Sequence, residues 1–183
     1  MSLIQTTPPE KAEGKLAELY AEVEQAFGMV PNNARTLGIS PAILENQIQL
    51  IGYYMGHPTL STPLLAMIRM LVSESCKSPY CQRLNTGLLN KAGFSMEQIL
   101  AMQADPNEAP LDPKNKALLL FVLKACDDPH SVTADDMDRL RNLGWADQDI
   151  FEAVAHGARM VGTNIIFDTL FSTDRRCLFQ NTS

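Results

Sequence analysis

Apolar side chains recur at three- and four-residue steps along most of this chain, and strand-like alternation is almost absent. The segment EGKLAELYAEVEQAFG sets Leu16, Leu19, Val23 and Phe27 on one stripe with acids opposite, and Gly28 supplies a stop. A capping residue followed by proline then recurs, at Ser40-Pro41, Thr62-Pro63, Ser78-Pro79 and Asp112-Pro113. The capping oxygen accepts an unpaired first-turn N–H, and proline loses nothing where its own N–H would have no partner. Gly38, Gly56, Gly93 and Gly144 are matching stop signals. The pattern predicts helices near residues 10–27, 41–55, 63–75, 79–92, 96–103, 113–126, 134–143 and 147–171, with a turn-rich link at VPNNARTLGIS. Ser95 and Gln98 form a capping-box pair before the fifth helix. The last helix is expected to bury Ile150, Val154, Val161 and Ile165. The expected fold is all-α, with about eight helices and one domain over residues 1–183.

Composition narrows the function classes. With 45% apolar and 20% charged residues, the chain reads as globular rather than disordered. A formal charge of −6 with no basic block argues against nucleic acid and anionic membrane surfaces as partners. The longest apolar run, ALLLFVL at 117–123, is too short to span a bilayer. The start lacks the cationic-then-apolar text of a secretory signal, and only four cysteines are present, so a reducing cytoplasm is expected.

The candidate chemistry lies in SESCKSPYCQRLN, residues 73–85. If Ser78 caps a helix opened by Pro79, Cys81 is its third residue, where free amides and the positive helix end favour the thiolate. Lys77 and Arg83 add cationic field. Cys76 is the candidate partner. Within one continuous helix, five residues rise ~7.5 Å, beyond the ~7 Å between α-carbons that a disulfide tolerates. The pair therefore requires the Ser-Pro break between them. Both cysteines also admit a plain packing reading, since cysteine often fills helical cores. Two cysteines with His57, His130 and His156 scattered fall short of a zinc site, and neither a metal nor a bound cofactor is expected. Cys126 reads as core, His130 as solvated, and most methionines as packing.

The segment LSTPLLAMIRMLVSESCKSPYCQRLNTGLL resembles the core of the alkylhydroperoxidase D-like, carboxymuconolactone decarboxylase family, in its peroxidase-related branch. FGMVPNNARTLGISPAILENQIQL and GWADQDIFEAVAHGARMVGTNIIFDTL are similar to the family's lead-in and closing helix. The resemblance covers about residues 15–171, leaving 172–183 as a tail. It implies an all-α fold assembling as a homo-oligomer, a trimer or hexamer. It also implies Cys81 as the attacking thiol and Tyr80 as the motif tyrosine. The family's first cysteine is replaced by Ser78, its histidine by Asn85 and its glutamate by Ala66, so its proton relay is missing.

Two functional readings follow. One is a thiol-dependent peroxidase-related oxidoreductase in which Cys81 attacks a peroxide, Cys76 resolves the sulfenic acid, and a thiol reductant recycles the pair. Glu74, His57 or His156 would then supply the base from another direction. The other is a family member without peroxidase chemistry, acting as a small-molecule binder or structural helical oligomer. A lyase-like activity ranks third.

Overall fold

The computed structural model describes residues 3–76 and 78–170, without the side chains of Pro79 and Tyr80. Lys77 and Cys177 lie outside the described residues. Nine α-helices and no strands occur among the residues described. They are α1 (Gly14–Phe27), α2 (Asn32–Leu37), α3 (Pro41–Met55), α4 (Thr62–Ser75), α5 (Pro79–Lys91), α6 (Met96–Ala104), α7 (Pro113–Asp127), α8 (Ala134–Asn142) and α9 (Asp147–Leu170). Short 3-10 turns occupy Pro9–Lys11, Pro106–Glu108 and Pro129–Ser131. The expected helices are all present. The link between α1 and α3 adds a short helix, and the first helix begins at Gly14 rather than residue 10.

The capping signals divide. Asp112 accepts the backbone N–H groups of Lys114 and Asn115, each at 3.0 Å. Ser95 and Gln98 close the expected capping box. The cap of α4 is Ser61, not Thr62, with Pro63 in the first turn. Ser40 and Ser78 precede their prolines but make no side-chain cap bond. Gly28, Gly93 and Gly144 adopt the left-handed conformation of helix stops, whereas Gly38 and Gly56 do not. Gly38 serves a different purpose: a Cβ there would lie 2.6 Å from the Tyr20 hydroxyl, so α1 packs against bare backbone.

The chain divides into two compact units. Of the described residues, one comprises 3–57 together with 167–170. In it Leu19, Tyr20, Val23, Val30, Ala34 and Leu44 form a core among α1, α2 and α3, with Leu16 and Ile48 packed against it. Phe27, placed on the buried stripe by periodicity, is 42% exposed at the last position of α1 and lies outside this core.

The other unit runs from Pro58 to Ile166. Its centre is α4, whose residues from Leu64 to Ser73 are buried on every side except at Arg69. A helix apolar all round must be surrounded, and α4 packs on both α5 and α7. The buried face of α9 within this unit is Ile150, as expected, followed by Ala153, Gly157, Met160 and Asn164, which lie one position off the rest of the expected stripe. Ile165 is 63% exposed, and Val154 and Val161 are only partly buried. At Gly157 the neighbouring side chains come too close for a larger residue. A Cβ on Gly157 would lie 2.6 Å from Val122 Cγ1 and 2.8 Å from Cys126 Sγ. No helix among the described residues is long and apolar enough to cross a membrane.

Candidate functional site

The break between Ser75 and Pro79 separates α4 from α5, and Cys81 is the third residue of α5 as expected. The thiol's surroundings differ from those of an attacking nucleophile. Cys81 is only 1% exposed, and Ser78, in the place of the family's first cysteine, is fully buried. Cys76, just past the end of α4, is exposed. Ala66 is buried on α4 and brings no charge.

Asn85 lies one turn beyond Cys81, and both ends of its amide are engaged. Its Nδ2 donates to the Cys81 carbonyl at 2.8 Å, and its Oδ1 accepts from Arg69 Nε at 2.9 Å. Arg69 also donates through Nη1 to His156 Nε2 at 3.1 Å. A guanidinium has no acceptor, so that contact fixes the lone pair on Nε2 and the ring proton on Nδ1. The second ring nitrogen bonds the Leu65 backbone. Burial, then the Arg69 charge, pushes the His156 pKa down to about 3, against the weaker upward pull of Leu65. The ring is therefore neutral near pH 7, and its lone pair is committed to Arg69. Burial also lowers the Arg69 pKa to about 10, which still leaves a cation.

A buried serine and asparagine extend the cluster. Ser73 Oγ donates to the Arg69 carbonyl at 2.6 Å and approaches Asn164 Oδ1 at 3.4 Å. Asn164 Nδ2 is buried without a hydrogen-bond partner. Gln82 Nε2 ties the start of α5 to the Ser73 carbonyl. The cluster is rich in donors and poor in acceptors. The Arg69 guanidinium donates to the neutral side chains of Asn85 and His156, and no carboxylate among the described residues pairs with it.

The other expected base residues lie elsewhere. Glu74 Oε2 accepts from Gln103 at 3.3 Å, on the wall of a cavity that also receives Cys76. His57 belongs to the first unit, where it stacks on Tyr54 with ring centroids 6.3 Å apart. His130 is exposed, as expected, but Cys126 is not core; it is partly buried on the same cavity wall as Cys76. The side chain of Tyr80 lies outside the described residues. Arg69 and Asn164 were not anticipated. Arg69 had a signal, being the only charged residue between Ser61 and Ser73. Asn164 had none.

No protein-family model and no curated protein matches the sequence. Solved structures do. An uncharacterized peroxidase-related protein from Silicibacter sp. TM1040 superposes with a TM-score of 0.82 at 19% identity, over 92% of this chain and 89% of that one. An uncharacterized peroxidase-related protein from Ralstonia eutropha JMP134, described as an alkylhydroperoxidase AhpD core, gives 0.81 at 22% identity over 92% and 90%. The debrominase Bmp8, solved as a cysteine-to-alanine variant with 2,3,4-tribromopyrrole, gives 0.74 at 17% identity over 92% and 89%. The chain therefore has the all-α, AhpD-like fold of peroxidase-related proteins.

Proposed function

We propose that this chain is an AhpD-like protein without peroxidase chemistry at Cys81, and that it binds a small organic anion against Arg69. The observation that carries the reading is a half-buried cation on α4 whose hydrogen-bond partners, Asn85 and His156, are both neutral. Desolvating a charge without a counter-charge is costly, and an incoming carboxylate offsets that cost. Arg69 is well suited to hold a carboxylate in a planar fork. The partner-less amide of Asn164 adds an unmet donor to the same cluster. One neighbour of similar fold was solved with a small halogenated heterocycle, which supports a ligand of that size. Benzoate is a suitable probe. A rise in melting temperature with benzoate that disappears in Arg69→Met is expected; equal stabilisation of parent and variant, or of neither, defeats the reading.

The second reading retains thiol-dependent peroxidase activity, with Cys81 attacking, Cys76 resolving and a thiol reductant recycling them. Its support is the exposure of Cys76 and the position of Cys81 in the first turn of α5. Burial of Cys81 and the commitment of His156 to Arg69 weigh against it, because proton transfer requires a group whose pKa lies near the working pH. Peroxide consumption that persists unchanged in Cys81→Ser excludes this reading. In either case we propose a homo-oligomer, supported by the exposed apolar side chains Phe151 and Ile165 on α9 and Leu100 on α6.

A further inference from the structure

The cysteine that shares a cavity with Cys76 is Cys126 rather than Cys81. A cavity of about 430 Å³ is lined by Leu71, Val72 and Cys76 at the end of α4, Leu123 and Cys126 at the end of α7, and Val161 on α9. The last turns of the packed helices α4 and α7 line one space, and both cysteines fall at that end. Cys76 is exposed and Cys126 partly buried, whereas Cys81 is sealed and does not line this cavity. Gly157 leaves room for the Cys126 sulfur, since a Cβ at that position would stand 2.8 Å from Sγ. The Cys126 thiol is pushed up by burial and, secondarily, by the proximity of Cys76.

We propose that Cys76 and Cys126 are an oxidation-sensitive pair that a hydroperoxide converts to a disulfide across the cavity. The Cys76 thiolate attacks one peroxide oxygen, and the O–O bond breaks. The leaving oxygen takes up a proton and departs as alcohol or water, leaving Cys76 as sulfenic acid. The Cys126 sulfur then attacks the Cys76 sulfur, the S–O bond breaks, and water leaves with the thiol proton. The two thiols lose two electrons, and the peroxide gains two. The disulfide links the ends of α4 and α7, and a dithiol reductant reverses the reaction.

The test uses the full-length chain and stoichiometric hydrogen peroxide, followed by alkylation, digestion without reduction and mass spectrometry. Expected are a Cys76–Cys126 cross-linked peptide and a fall in free thiols from the four in the sequence to two. Dithiothreitol restores all four. In Cys126→Ser the link is lost, and Cys76 accumulates as sulfenic acid trapped by dimedone. A link from Cys76 to Cys81 or Cys177, or peroxide-treated parent protein with no link to Cys126, overturns the proposal. This outcome is independent of benzoate binding at Arg69.

Discussion

Arg69 is an ionised group in the apolar middle of α4, and its neighbours show how its charge is accommodated. Asn85 supplies an oxygen, and His156 supplies a lone pair only while neutral. This coupling predicts a pH dependence. The His156 pKa lies near 6.5 unfolded and about 3 folded, so between those values the unfolded chain holds the proton and the folded chain does not. Stability is complete above about pH 6.5 and falls as the pH drops toward 3, by up to about 1.4 kcal/mol per pH unit for this one proton. Urea midpoints between pH 7 and 4.5 should fall more steeply for the parent than for His156→Gln; parallel curves would contradict the assignment. A second residue-scale prediction concerns Gly157. The side chains of Val122 and Cys126 press so closely on it that Gly157→Ala overpacks the interface. A loss of about 1–3 kcal/mol in urea unfolding is expected. Arg69 was readable in the sequence as an isolated charge. Its partners were not, because they come from α5 and α9, 16 and 87 positions away.

At the scale of elements, helix existence was legible because a 3.6-residue period is written locally, and nine helices stand among the described residues where about eight were expected. Caps were less legible, since a serine before a proline only permits the bond. Asp112→Ala should lose about 1 kcal/mol in chemical denaturation, because two first-turn N–H groups lose their acceptor. Ser40→Ala removes no cap bond, and a change of at most about 0.5 kcal/mol is expected. Beyond Ile150, the buried face of α9 was misplaced for a definite reason. Hydrophobic periodicity selects the largest apolar side chains, but close helix approach selects the smallest, here Ala153 and Gly157. Hydropathy therefore pointed to Ile165, which faces outward.

At the scale of the molecule, Phe151 is 71% and Ile165 63% exposed on α9. Fourteen residues separate them, close to four turns, so they lie on one face. If that face meets a second copy, light scattering should give a multiple of the 20.2 kDa chain mass, and Phe151→Glu should shift the population toward monomer. A parent protein of monomer mass at every concentration refutes the assembly. The AhpD-like fold was visible from the motif text around Cys81, although the solved neighbours that share it are only 19% and 22% identical.

The sequence by itself determined the helices of the described residues, the break that puts Cys81 in the first turn of α5, and the residue types Ala66, Ser78 and Asn85 where the resemblance leads one to expect a glutamate, a cysteine and a histidine. These are properties of local order and of residue type. Tertiary structure alone decided that Cys81 is sealed, that Cys76 shares its cavity with Cys126, and that Arg69 binds Asn85 and His156. Each depends on which faces of distant helices meet, and the packing of small or polar side chains leaves no periodic trace in the chain.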